Sequence, residues 1–279
     1  MNYRHAFHAG NFADLVKHAV LLDILAELMR DARPLTVMDT HGGAGRYDLS
    51  DVHQQRSREA EAGVQRLMQA EPGAAFQPLA EAVRRLNPDG GLRFYPGSPW
   101  LTVDAMRPGD RYVACELRLD DHGQLETTLK RLAEPKRVKA EARRADGYAT
   151  AREVAREAGR LFVLIDPPFE KSDDYDRAAD TAAAIVKAKS PPPCVAIWTP
   201  LKDLETFDGF LRRLRSGGAE KVLVAEARLR PLHDPMKMNG CAMVVVNPPV
   251  ALRDRAQAVC EEVVRTLGDP GGLAKVWKL

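Results

Sequence analysis

Short apolar runs that alternate with amphipathic helical segments dominate the chain from Pro34 onward, and this rhythm restricts the fold more than any other feature. The predicted strands are Leu35–Thr40, Tyr112–Leu117, Val138–Ala142, Leu161–Asp166, Val195–Thr199, Lys221–Ala227 and Ala242–Asn247. Helical stretches separate most of them, the pattern of an α/β domain with a mainly parallel sheet. The last two are joined by Arg228–Cys241, which has no helical pattern, so a C-terminal antiparallel hairpin is expected there. Between Gly45 and Leu92 the rhythm breaks. Two helical patterns, about Val52–Glu71 and Ala75–Leu86, flank Glu71-Pro72-Gly73, and the interval carries Arg46, Arg56, Arg58, Arg66, Arg84 and Arg85. The simplest division is one α/β domain over 1–45 and 92–279 with an inserted helical subdomain over 46–91. The arginines suit either a nucleic-acid-binding lid or solvated helix faces.

Composition narrows the classes. A chain of 279 residues suits one large domain or a domain carrying a sizeable insertion. The formal net charge is only +2, so any nucleic-acid binding must come from a local basic face. No apolar run approaches the roughly 20 residues of a membrane helix. The polar start Met1-Asn2-Tyr3-Arg4-His5 has no signal-peptide core, which leads to the expectation of a cytoplasmic protein. Cys115, Cys194, Cys241 and Cys260 are scattered without CxxC spacing, so neither a metal site nor a disulfide framework is expected.

Three features point to a nucleotide-type ligand. Val37-Met38-Asp39-Thr40-His41-Gly42-Gly43-Ala44-Gly45 is an apolar strand entering a glycine-rich turn, where α/β folds bind ligands. The spacing Asp39-x-His41-x-Gly43-x-Gly45 resembles the methyltransferase pattern D-x-G-x-G-x-G, with histidine replacing the first glycine. It does not fit a phosphate-binding G-x-x-x-x-G-K-[ST] loop. Glu116, at the end of the next strand, has the character of a ribose-binding acid. Asp146-Gly147 follows the strand after that and suits recognition of an adenine amino group, although Asp-Gly is also a common turn pair.

The strand Leu161-Phe162-Val163-Leu164-Ile165 ends in Asp166-Pro167-Pro168-Phe169. Consecutive prolines stop a central strand and stiffen the turn. Such a turn can hold a carboxylate and a backbone carbonyl as two fixed acceptors beside an aromatic plane. That arrangement matches the exocyclic amino group of a base, a poor nucleophile whose lone pair is delocalised into the ring. Two acceptors drawing on its hydrogens favour a more tetrahedral nitrogen with an available lone pair, and Phe169 would stack on a base that is unpaired or flipped out. Asn247-Pro248-Pro249-Val250 opens similarly but lacks the aromatic and follows a hairpin strand, so it reads as a strand terminator. In the first helix, with Asn11 as its N-cap, Asp14, Lys17 and His18 fall on the core side. Burying them requires partners, either one another or a polar ligand.

The stretch Tyr3-Arg4-His5-Ala6-Phe7-His8-Ala9-Gly10-Asn11-Phe12-Ala13-Asp14-Leu15-Val16-Lys17-His18 resembles the opening of bacterial 23S ribosomal RNA adenine-N6 methyltransferases of the RlmJ type. The likeness continues through the glycine loop, Tyr95-Pro96-Gly97-Ser98-Pro99, Ala145-Asp146-Gly147, Asp166-Pro167-Pro168 and Val246-Asn247-Pro248-Pro249. It implies a class I methyltransferase (Rossmann-like) sheet and S-adenosylmethionine as methyl donor, with no metal. It also implies His18, His41, Ser98, Glu116, Asp146, Gly147 and Asp166 at the cofactor, Asp166 as the catalytic residue and Tyr3 at the substrate. The expected partner is 23S rRNA, with no membrane, no obligate protein partner and a monomeric state. Phe169 stands where the family carries tyrosine, so stacking would survive without a hydroxyl. A DNA amino methyltransferase would use the same tetrapeptide but would ordinarily carry a large target-recognition domain. A non-catalytic RNA-binding protein would not need the tetrapeptide, and a nicotinamide-dependent oxidoreductase would leave it unexplained.

Overall fold

A computed structural model describes residues 7–51, 57–232 and 238–279. In chain order the first half comprises α1 (Phe12–Leu28), β1 (Leu35–Asp39), β2 (Arg46–Asp48), a π-helical turn (Glu61–Gln65) running into α2 (Arg66–Gln69), α3 (Gln77–Leu86), β3 (Phe94–Pro96), α4 (Ser98–Ala105), β4 (Arg111–Cys115), α5 (Leu119–Lys136) and β5 (Lys139–Arg143). The second half comprises α6 (Gly147–Glu157), β6 (Arg160–Ile165), α7 (Asp174–Ala188), β7 (Cys194–Leu201), α8 (Leu204–Ser216), β8 (Val222–Arg228), β9 (Gly240–Val246), α9 (Leu252–Leu267) and β10 (Leu273–Lys278).

The main sheet has eight strands in the order β10-β8-β9-β7-β6-β1-β4-β5. β1 lies between β4 and β6 and runs parallel to both. The chain therefore winds outward in opposite directions from β1, and a crevice opens beyond its carboxyl end. β8 and β9 form the expected antiparallel hairpin, with β9 inserted beside β7.

The inner strands fold where they do because both faces of the sheet are covered there. Along β6, Phe162 and Leu164 enter the core beneath α1, α4, α5 and α9, whereas Val163 and Ile165 enter the core beneath α6, α7 and α8. A strand buried on both sides reads as a continuous apolar run rather than an alternating one. Full burial of each such side chain stabilises the fold by about 1.5–3 kcal/mol. α1 is an extreme case. Every residue from Phe12 to Leu21 is buried, so its inner half has no solvent face. Asn11 caps it as expected, its side chain accepting from the Asp14 N–H at 2.9 Å.

Three strands were not anticipated. β2 and β3 form a small antiparallel pair off the main sheet, each only three residues long. β10 pairs antiparallel with β8 at the sheet edge, and only Val276 of its residues is buried. Backbone pairing, rather than an apolar pattern, specifies it. The first helical pattern expected between Gly45 and Leu92 corresponds, in its described part, to the π turn and α2, with residues 52–56 outside the described residues. The second corresponds to α3.

Phe162 is fully buried at the centre of the sheet, so Phe162→Ala should lower the unfolding free energy by about 3–5 kcal/mol, the usual cost of an aromatic deletion that a rigid core does not refill. Urea unfolding measures this, and a loss below 1 kcal/mol would mean that the neighbouring core collapses into the space.

Candidate active site

The crevice beyond β1, β4 and β6 is lined by His41, Gly43, Glu116, Asp146, Gly147 and Asp166, among others. The turn after β1 is braced from below. Asp39 is buried, and its carboxylate accepts from the Ser98 hydroxyl at 2.7 Å, the Tyr112 hydroxyl at 3.1 Å and the His41 N–H at 3.2 Å. Burial nevertheless pushes the Asp39 carboxyl up to about 6. Gly43, at φ 59°, occupies a backbone region that L side chains rarely adopt, and its N–H is donated to Glu116 Oε2 at 3.1 Å. Glu116 Oε1 accepts from the Arg118 N–H at 2.8 Å. Burial raises the Glu116 carboxyl above its usual range despite these donors. At Gly147 the need for glycine is steric: a Cβ there would lie 1.9 Å from the Thr40 carbonyl oxygen.

Asp146 caps α6 by accepting from the Ala149 N–H at 2.9 Å and pairs with Arg177 at 2.6 Å. Burial opposes its ionisation, but the Ala149 N–H and the guanidinium hold the carboxyl below its ordinary value. Arg177 also lies 4.3 Å over the Tyr148 ring. His41 meets the edge of that ring at 5.1 Å, and burial pushes its imidazole down to about 4, so it is neutral near pH 7. The buried Tyr148 hydroxyl on this wall has no hydrogen-bond partner among the described residues.

On the other side of the turn, Asp166 Oδ2 lies 2.6 Å from Lys17 Nζ, and Lys17 lies 2.7 Å from Asp14 Oδ1. The three side chains are at most 8% exposed. Burial disfavours the Lys17 charge, but the two carboxylates outweigh it and raise the ammonium pKa, so Lys17 stays protonated. Asp166 Oδ1 takes no partner among the described residues, and Asp166 borders the crevice. One acceptor is thus fixed by the protein, and the other belongs to a residue that borders the crevice.

The residues singled out from sequence fall into groups. His41, Glu116, Asp146, Gly147 and Asp166 converge on one wall. His18 and Ser98 do not border it: His18 shares a 2.8 Å hydrogen bond with Tyr95, and Ser98 braces Asp39. Asp14 and Lys17 bond to each other, as one reading of the first helix expected, but their further partner is Asp166 rather than His18. Phe169 is buried, its ring 4.5 Å from Tyr175 and 5.8 Å from Trp198, on a backbone at φ 50°. That left-handed conformation is strained for a bulky residue, and such strain gathers at functional turns. Tyr3 lies outside the described residues. Asn247 follows β9, which runs against β7, so it lies at the opposite end of the sheet, where its side chain donates to the Pro193 carbonyl. Sequence reasoning missed Arg177, Tyr148 and Trp198. The first two sit on helices whose approach to the crevice depends on the tertiary fold, and Trp198 reads only as part of an apolar strand.

A sheet that reverses its winding at β1, an antiparallel strand beside β7, a glycine turn at the switch point and Asp-Pro-Pro closing β6 together define a class I S-adenosylmethionine-dependent methyltransferase. Residues 32–279 match the family described as "Ribosomal RNA large subunit methyltransferase D, RlmJ", and the chain belongs to that family. Two relatives named "Ribosomal RNA large subunit methyltransferase J" are similar over nearly their full lengths. The Escherichia coli protein is 31% identical, over 93% of this chain and 91% of its own. The Haemophilus influenzae protein is 32% identical, over 97% of this chain and 95% of its own. The crystal structure of protein LPL1258 from Legionella pneumophila superimposes with a TM-score of 0.85 at 26% identity, covering 97% of this chain and 98% of that one.

The neutral imidazole of His41 gives a pH test. Its folded value of about 4 lies below the ordinary 6.5, so the unfolded chain takes the proton first, and stability is lost as pH falls from 6.5 through 4. Asp39, raised to about 6, acts in the opposite sense at mildly acidic pH. Comparing His41→Gln with wild type by urea unfolding across this window isolates the histidine. The wild type should lose stability relative to the variant as the solution is acidified, and a constant difference would mean that His41 titrates normally.

Proposed function

We propose that this chain transfers the methyl group of S-adenosylmethionine to the N6 amino group of an adenine in 23S ribosomal RNA. The observation that carries the reading is Asp166: Lys17 engages one carboxylate oxygen, the other takes no partner among the described residues, and the residue borders a crevice shared with Gly43, Glu116 and Asp146. The names of the Escherichia coli and Haemophilus influenzae relatives support a large-subunit ribosomal RNA substrate. The donor set fits the cofactor. Glu116 offers a carboxylate for ribose hydroxyls, Asp146-Gly147 a polar corner for the adenine, and the unpartnered Tyr148 hydroxyl a further polar contact on the same wall. The bound cofactor supplies a methyl group on a positively charged sulfur.

The chemistry asked of the protein is placement and charge. Asp166 Oδ1 accepts a hydrogen bond from the base amino group and holds the nitrogen lone pair toward the methyl group. As the nitrogen becomes acidic on methylation, Asp166 is the nearest base to take its proton. The Pro167-Pro168 turn keeps this carboxylate from following the substrate. His18 and Ser98 act from behind the wall, through Tyr95 and Asp39. Stacking by Phe169 requires its ring to leave Tyr175 and Trp198. Residues 46–91 form the inserted helical subdomain of this reading, Tyr3 contacts the RNA, and the enzyme works in the cytoplasm as a monomer without a metal.

Incubating the protein with S-adenosylmethionine labelled in the methyl group and with protein-free rRNA, ribosomal particles or DNA tests this directly. Label should enter RNA as N6-methyladenine, and Asp166→Ala should reduce incorporation by at least about a hundredfold, within the range for a lost acid–base group. Label only in DNA, or in no nucleic acid, would overturn the assignment. Incorporation undiminished in Asp166→Ala would overturn the mechanism. Glu116→Ala should weaken S-adenosylmethionine binding in calorimetry at least about tenfold, and unchanged affinity would remove Glu116 from the ribose contact.

A further inference from the structure

A line of hydrogen bonds links the segment outside the sheet to Asp166. The Val64 N–H donates to the Gly10 carbonyl at 2.8 Å, and the Gly10 N–H donates to Asp14 Oδ2 at 3.0 Å. Asp14 Oδ1 holds Lys17, and Lys17 holds Asp166 Oδ2. The contact at the outer end is close enough to exclude a side chain, since a Cβ on Gly63 would lie 2.1 Å from the Gly10 carbonyl oxygen. It is also reinforced. Glu59 accepts from His8 at 2.8 Å and from the Asn11 side chain at 2.9 Å, tying the same segment to the residue that caps α1. Gly63 and Val64 belong to the π-helical turn, a local irregularity often found at functional sites.

We propose that Asp14 is a positioning residue for methyl transfer and that the Glu59–Val64 segment sets its place through Gly10. The inference rests on Asp166 being the acceptor for the base amino group. A buried ammonium without a second carboxylate would turn wholly to Asp166 and engage both of its oxygens. Asp14 draws Lys17 to one side, so Asp166 gives up only Oδ2 and keeps Oδ1 for the substrate. The Gly10 N–H holds Asp14 Oδ2 while Asp14 does this, and the backbone bond from Val64 fixes Gly10. The helical segment between β2 and β3 therefore shapes the reactive carboxylate without touching it.

A double-mutant cycle on the full-length protein tests this, reading kcat and KM for methyl transfer to RNA alongside S-adenosylmethionine affinity. Asp14→Asn preserves shape and removes the charge. It should lower kcat on the order of a hundredfold, the cost of a reacting group misplaced by about 1 Å, with both KM values within about twofold of wild type. Gly63→Ala should lower kcat in the same way, and the double variant should be no worse than Asp14→Asn alone. If Gly63→Ala does not fold, Glu59→Ala takes its place, since it removes the two reinforcing bonds without adding bulk. An unchanged kcat in Asp14→Asn, or losses that multiply in the double variant, would overturn the inference. A wild type that methylates RNA while Asp14→Asn equals it sinks this inference alone, whereas a wild type inactive on every nucleic acid sinks the functional reading beneath it.

Discussion

The buried ammonium of Lys17 is the constraint on which the rest of the site depends. It joins the first helix of the chain to the turn after β6, a separation of 149 residues in sequence bridged at 2.6 Å. Removing one partner from a buried ion pair typically costs 3–5 kcal/mol, because the partner left behind keeps an uncompensated charge in a poor solvent. Three side chains joined this way and at most 8% exposed make such a loss severe here, and they explain why α1 turns polar side chains inward. The apolar residues around them, Leu15, Leu21 and Ile24, fix the helix so that the charges meet.

The second organising feature is the reversal of winding at β1. Because β4 and β6 both run parallel to it on opposite sides, the turns after three strands meet at one rim. Each turn contributes a different element: a glycine backbone, a carboxylate, and a proline-stiffened acceptor. Asp39 ties the first of these to α4 and β4 through Ser98 and Tyr112, so the rim is rigid before any ligand arrives.

Much of this was legible in the residues. The inner strands of the main sheet were readable from apolar runs because burial on both faces leaves no alternation to confuse them, and the hairpin of β8 and β9 followed from a connection without helical pattern. Asp39, His41, Glu116, Asp146 and Asp166 were readable because each ends or follows a strand whose end is fixed by the fold. β10 was not, since it is held by backbone bonds to β8 and buries only Val276. Arg177 and Tyr148 were also hidden, because their mutual contact and the pairing with Asp146 depend on how α7 packs on α6. The first-helix residues were half readable. Helical spacing put Asp14, Lys17 and His18 on the core side, yet only the fold could assign Lys17 to Asp166 and His18 to Tyr95.

β10 also bears on how the molecule is made. It closes the edge of β8, a strand buried at every residue except Arg228, and nothing else in the sheet order flanks β8 on that side. During synthesis β8 is complete long before residues 273–278 have formed and paired, so a nascent molecule carries an apolar strand with open backbone donors and acceptors. Such an edge is a template for pairing with a neighbouring chain. Crowding of nascent chains on one messenger therefore threatens this protein at its outermost strand, and the interval before that strand closes sets its exposure to aggregation.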